Sequence, residues 1–302
     1  MSGAHRAAAG LALAAWLAAA GLRAQDADPE VEIRTVDVAP GIAMLIGQGG
    51  NIGVSSGPDG VFLIDDQFAP LSAKIRAAVA RISDVPLRFL LNTHWHGDHT
   101  GGNENFAGLG AVIVAHDNVR RRMSTDQFVA AFQRAVPASP KAALPVVTFG
   151  ADLTFHLNGD EIHAVHVANA HTDGDVIVHF EKARVIHTGD VYFAGRYPFI
   201  DVGSGGSIDG MIAAVDRVLE LAGDETRIIP GHGELSTRSE LARYREVLIA
   251  ARDRVRNAIA AGKSADAVVA ERPLAEFDAT WGAGFVEPEA FVRTVYTSLS
   301  PR

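Results

Sequence analysis

Four metal-competent side chains fall within six residues in the stretch Thr93-His94-Trp95-His96-Gly97-Asp98-His99. This cluster constrains the fold more than any other feature. It follows an apolar run, Leu87-Arg88-Phe89-Leu90-Leu91, which reads as a buried strand bounded by Pro86. A glycine turn, Gly101-Gly102, follows, where a helix can begin. A strand-to-loop exit of this kind aims His94 and His96 one way and leaves Asp98 and His99 to face a second ion beside the first. Imidazole and carboxylate without thiolate suit Zn²⁺, with Fe, Mn or Ni as lesser fits. A hydrogen-bonded histidine cluster in a polar loop is the alternative, and it suits a single histidine better than this spacing.

At 302 residues and 48% hydrophobic side chains, the chain can bury a substantial core. Its start carries a basic tip (Arg6), an uncharged 16-residue run from Ala7 to Leu22, and Arg23-Ala24-Gln25-Asp26. That pattern reads as a secretory signal peptide over residues 1–24, cleaved after Ala24, and implies export to the periplasm. The run is shorter than the ~20 residues a membrane span needs, so no stable anchor is expected after cleavage. Removing residues 1–24 takes away Arg6 and Arg23 and no acid, which moves the formal charge from −9 to −11. Such a field repels nucleic acid and leaves a small molecule as the expected partner. With no cysteine, the chain has neither disulfides nor thiolate ligands.

Short apolar runs punctuated by turn-formers (Val31–Val38, Ile42–Ile46, Ile52–Ser55, Val61–Ile64) predict an antiparallel meander, and Leu71 to Ile82 has helical spacing. Ala111–Ala115 reads as a strand and Asn118–Met123 as a short helix. Residues 124–145, with Pro137, Pro140 and Pro145, read as a mobile segment edging a pocket. A second series of strands follows at Val146–Phe149, Leu153–Leu157, Glu161–Val167, Val176–Phe180 and Val185–His187. Ser207 reads as the N-cap of a helix to Leu221, and Arg227–Ile229 as a last strand. Long helical patterns occupy 237–261 and 288–299. The same order of elements thus occurs twice, which predicts two facing ββα-type halves in one α/β domain over 25–302. Its core spans about 31–250 and a helical extension about 251–302.

Three further candidate ligands stand at strand ends beside turn-formers: His171, Asp190 and His232, which follow His99 at intervals of 72, 19 and 42 residues. In this order and placement the chain resembles the metallo-β-lactamase superfamily, whose members carry HxHxDH, then His, then Asp or Cys, then His. The resemblance implies an αββα sandwich and two zinc ions per chain, with iron or manganese as possible replacements. His94, His96 and His171 would hold one ion, Asp98, His99 and His232 the other, and Asp190 would bridge them. Asp65, closing Val61-Phe62-Leu63-Ile64, matches an early aspartate that hydrogen-bonds the ligand loop. Two such ions, about 3.5–4 Å apart in sites of this kind, can share a water and lower its pKa towards neutrality. Asp98 and Asp190 are then the catalytic carboxylates. The remaining histidines (His156, His163, His166, His179 and His187) read as structural, and His116 as a residue that can reach the pocket rim.

Export and the family name make a β-lactam's cyclic amide the leading candidate substrate. A lactone, ester or thioester is the alternative, on the pattern of glyoxalase II and lactonases; an iron-containing oxidoreductase of the same fold ranks third. Two departures from the β-lactamase pattern weigh on that choice. Asp190 stands where one subclass has cysteine, and Phe193 stands where that subclass has a carboxylate-binding lysine, with Arg196 a possible substitute. Phe68, Trp95, Tyr192 and Phe193, with Tyr197 and Phe199, are candidates for an apolar pocket wall. Gly47–Asn51 reads either as a flap over the site or as a tight turn.

Overall fold

A computed structural model describes residues 30–300; the expected signal peptide lies outside them. A seven-stranded sheet contains β1 (Arg34–Ala39), β2 (Ile42–Ile46), β3 (Ile52–Gly57), β4 (Gly60–Ile64), β5 (Leu87–Asn92), β6 (Val112–His116) and, after the hairpin β7 (Gln127–Val129) and β8 (Arg134–Val136), β9 (Val147–Phe149). The first four strands form the expected antiparallel meander, whereas β4, β5, β6 and β9 run parallel. A six-stranded sheet runs in order through β10 (Asp152–Leu157), β11 (Asp160–His166), β12 (Val176–Phe180), β13 (Val185–His187), β14 (Arg227–Ile229) and β15 (Ser236–Thr237). Among the described residues, no helix is long and apolar enough to cross a membrane.

Strand alternation builds the layers. Ile64, Leu91 and Val114 of the first sheet meet Val178, Val185 and Ile229 of the second between the sheets. Their neighbours Leu63, Leu90 and Ile113 point outward onto α1 (Ser72–Ile82). On the opposite outer face, Ile177, Ile186 and Ile228 pack beneath several helices. The short helices α2 (Gly97–Thr100), α3 (Asn103–Ala107) and α4 (Asp117–Met123) lie between strands of the first half. The helices over the second sheet are α5 (Ile208–Leu221) and α6 (Arg238–Ala260), then α7 (Ala265–Ala270), α8 (Ala275–Trp281) and α9 (Pro288–Leu299). The arrangement is αββα, as expected.

Ser207 caps α5, accepting from the Gly210 amide at 2.9 Å. Thr237 and Glu240 form a capping box that starts α6. The C-terminal segment packs as three helices, two of them short and not evident in the sequence pattern. Residues 124–145 contain an ordered hairpin, β7–β8, stabilised by local pairing.

Candidate metal centre

The strands β4, β5, β13 and β14 end at one edge of the sandwich, and the loops that follow them carry the ligand candidates. After β5 the chain bends through Thr93 to Trp95, and His96, in extended conformation, precedes α2, which supplies Asp98 and His99. His171 follows β11, Asp190 stands in a 3₁₀ turn after β13, and His232 follows β14. The last two loops are joined by backbone bonds from Gly231 to Tyr192 and from Ala194 to His232.

Hydrogen bonds on the far side of each ring fix which imidazole nitrogen faces inward. The Thr93 hydroxyl donates to Asp65 at 2.7 Å and accepts from His94 Nδ1 at 3.1 Å, so His94 Nε2 carries a lone pair. His96 Nε2 donates to Asp201 at 3.1 Å, and His171 Nδ1 to the Phe199 carbonyl at 2.7 Å. The lone pairs of His96 Nδ1 and His171 Nε2 then face each other at 2.8 Å, with His94 Nε2 at 3.1 Å from His96 Nδ1. Three buried lone pairs converging this closely repel unless a cation sits among them. The set therefore fits a metal ion bound through three nitrogens.

His99 Nδ1 donates to Asp65 at 2.7 Å, which turns Nε2 towards His232 Nε2 at 3.4 Å, Asp190 Oδ1 at 3.1 Å and Asp98 Oδ2 at 3.7 Å. His232 Nε2 lies 3.4 Å from both Asp98 and Asp190. Asp190 addresses both sets. Its Oδ1 faces His99 and His232, while Oδ2 lies 3.5 Å from His171 and 3.9 Å from His94. That Oδ1 is buried without a hydrogen-bond partner, as expected of an oxygen reserved for a cation. His94, His96 and His171, His94, His99 and Asp190, and Asp98, His99 and His232 each present ligand atoms within 4.8 Å of one another.

The electrostatics point the same way. Burial drives His94 well below the usual histidine range and His171 down to about 4, favouring the neutral ligand form. Burial opposes charge on Asp98 and Asp190, yet the surrounding imidazoles hold both well below the usual carboxylate range. Burial likewise lowers His99 and His232, but it is outweighed by the carboxylates. Asp190, Asp98 and Asp65 raise His99 well above its ordinary value, and Asp190 and Asp98 raise His232 to about 9. The second set thus attracts positive charge, a proton or a metal.

A profile of the metallo-beta-lactamase superfamily matches residues 46–232. The chain belongs to that superfamily. Hydroxyacylglutathione hydrolase of Polaromonas sp. is 29% identical over 180 residues, 58% of this chain and 60% of that protein. The chain therefore spans somewhat less than two thirds of the length of this relative. The stereoselective inverting sec-alkylsulfatase Pisa1 from Pseudomonas sp. superposes with a TM-score of 0.69 at 18% identity, covering 88% of this chain and 50% of that one. A metallo-beta-lactamase from Pontibacter korlensis superposes with a TM-score of 0.60 at 17% identity, covering 72% of this chain and 99% of that one.

Asp65, fully buried with φ 63°, accepts from the Thr93 amide, the Thr93 hydroxyl and His99, each at 2.7 Å. The expected pocket wall needs correcting at three positions. Tyr197 is core, stacked on Phe291 at 4.7 Å with its hydroxyl donating to Asp278 at 3.0 Å. Trp95 does not line an open wall: it is buried among Ala115, Val119 and Met123, with its ring 4.8 Å from that of His96. Tyr192 is core, its hydroxyl paired with Ser236 at 2.9 Å and its ring against Tyr244.

Phe193 is buried but flanks the centre, stacked on His232 at 5.2 Å. A Cβ built on Gly49 would lie 3.3 Å from both Phe68 and Asp98, so Phe68 stands at the mouth beside the most exposed carboxylate. The stem of Arg196 packs near Gly284. Gly47–Asn51 lies against the centre, where a Cβ on Gly50 would fall 2.1 Å from the His99 ring. Gly50 donates to the Asp98 carbonyl and accepts from Gln67, while Asn51 bonds Pro230 and Gly233.

Sequence reasoning missed Asp201, which lies 105 residues from the His96 it orients and has no local motif. The remaining histidines have structural surroundings. His187 donates to Asn51 and accepts from Gly189, His116 stacks on His166 at 3.7 Å, and His163 bonds Thr154 and Glu181. His163 also groups with Glu161 and Glu181 on the outer sheet face.

Proposed function

We propose that the protein is a dinuclear, metal-dependent hydrolase with zinc as its resident ion, acting on an ester, thioester or lactone. The observation that carries this reading is Asp190 lying between two complete ligand sets, one oxygen towards each. Two bound cations would supply Lewis acidity and an acidified water. The side chain of Asp98, 27% exposed, is the carboxylate most open to solvent and takes the proton of the attacking water. Asp190, buried and hydrogen-bond poor, keeps its charge directed at the centre. Asp65 and Asp201 hold His99 and His96 in the tautomers that leave lone pairs inward.

The surroundings of the centre favour an apolar, uncharged substrate. Phe193 offers a ring face against His232 where an ammonium would be needed to hold a drug's carboxylate, and Phe199 packs on His96 and His171. A β-lactam is the second reading, favoured by the superposition of nearly the whole Pontibacter lactamase. Residues 1–24 we read as a signal peptide, which N-terminal sequencing of the periplasmic protein would check.

Elemental analysis of the purified chain, with turnover of a thioester, a lactone, an aryl ester, a chromogenic cephalosporin and a secondary alkyl sulfate, tests the function. Two zincs with acyl ester or lactone turnover support the proposal. Preference for the cephalosporin restores the β-lactam reading, and iron with no hydrolysis overturns both.

A further inference from the structure

Three aromatic rings lead from the candidate centre to solvent. Phe199 lies 5.9 Å from His96 and 5.6 Å from His171, two of the three converging imidazoles. Phe132, at the tip of the β7–β8 hairpin, lies 5.0 Å from Phe199, and Phe285, between α8 and α9, lies 5.5 Å from Phe132. Phe132 is 46% exposed and Phe285 71% exposed, an unusual outlay of apolar surface for two residues with no core role. They come from segments some 150 positions apart, and Phe285 lies beyond the part of the chain matched by the superfamily profile. Two segments far apart in sequence therefore bring exposed rings to one path, and that path ends on candidate ligand side chains.

We propose that this ladder is an acyl-chain subsite, holding the unbranched alkyl part of the substrate along Phe285, Phe132 and Phe199 while its reacting bond lies at the metal centre. The inference rests on the hydrolase reading and specifies its substrate as a medium-chain acyl derivative. An alkyl chain suits the ladder because each ring offers a face or edge to methylenes and none carries a hydrogen-bonding group. A peptide or sugar would find no hydrogen-bond partner on these rings. Its other attraction is continuity: successive rings lie 5.0 and 5.5 Å apart, so a chain leaving the centre keeps one side against apolar surface.

The test separates binding from turnover. Calorimetric titration of the full chain with unbranched primary butanol, hexanol and octanol reads the subsite without any reaction. Affinity should rise with length, by up to about fourfold for each methylene covered, the ratio equivalent to ~0.8 kcal/mol. Phe132→Ala and Phe285→Ala should flatten that rise and weaken octanol by about tenfold while leaving metal content unchanged. Phe128→Ala, on the same hairpin and 56% exposed but outside the ladder, should do neither. No dependence on chain length, or equal loss from Phe128→Ala, overturns the subsite. Ester and lactone turnover then stands as a separate measurement. A length-dependent subsite without ester, thioester or lactone turnover would sink that substrate reading alone, and turnover with no length dependence would sink the subsite alone.

Discussion

Asp65→Asn is the substitution that most directly tests how the centre is held. Asparagine is isosteric and tolerates the left-handed backbone that Asp65 adopts at φ 63°, so little backbone strain is added. One oxygen can still accept from the Thr93 amide. The other becomes an NH₂ facing two donors, the Thr93 hydroxyl and His99 Nδ1, both 2.7 Å from the carboxylate oxygen it replaces. The relaxed arrangement moves the His99 proton to Nε2, which removes the lone pair the second site needs. Losing a hydrogen bond to a charged group costs ~1.5–3 kcal/mol. At 1.36 kcal/mol per tenfold, that is a loss of roughly 10- to 150-fold in metal affinity, in line with the ~10–100-fold found for outer-shell partners. Equilibrium dialysis with elemental analysis, followed by chelator competition, should show the second ion weakened by that factor and the first less so. Two ions bound at unchanged affinity would refute both the tautomer argument and the role given to Asp65.

Four further outcomes follow from the same geometry. Gly50→Ala should displace His99 and cut metal content towards one ion, since a Cβ there would lie 2.1 Å from the His99 ring; elemental analysis reads it. Asp190→Ala should lower both metal content and turnover, because it removes a ligand from both sets, whereas His156→Ala, an exposed position, should alter neither. Metal binding should release protons at pH 7, measurable by calorimetry in buffers of different ionisation heat, because His99 and His232 are raised and must be neutral to bind. In the apoprotein the raised His232 favours folding below the ordinary histidine value, and that contribution fades as pH rises towards about 9. Metal affinity changes in the opposite sense, so the difference in Tm between loaded and chelated protein should widen with pH over that range.

The ligand set was legible because it is local or stands at strand ends, where a two-residue period leaves little freedom. Apolar alternation around Ile64, Leu91, Ile186 and Ile229 predicts both faces of each sheet, and hence the loops that must converge. The aromatics were harder, since a ring beside a ligand in sequence points away from it as often as towards it. Trp95, between two ligand candidates in a bent segment beyond β5, is buried among Ala115, Val119 and Met123. Phe132 and Phe285 carry no local signal at all, as they meet only once the hairpin and the C-terminal helices have packed.

The outer hydrogen bonds show a regularity that the ligand motif alone does not reveal. His94 is oriented by a hydroxyl and His171 by a backbone carbonyl, but His96 and His99 are each oriented by a carboxylate, Asp201 and Asp65. A carboxylate behind an imidazole makes it the more basic ligand. One such imidazole belongs to each set, so each ion would have one strongly donating nitrogen with the shared Asp190 between them. Asp65 also reaches the first set through the Thr93 hydroxyl on His94, which couples the two halves of the centre through a single buried charge. The two sites should therefore fill and fail together more than their separate ligand lists suggest, and Asp65, which belongs to neither ligand set, is the residue on which that coupling would depend.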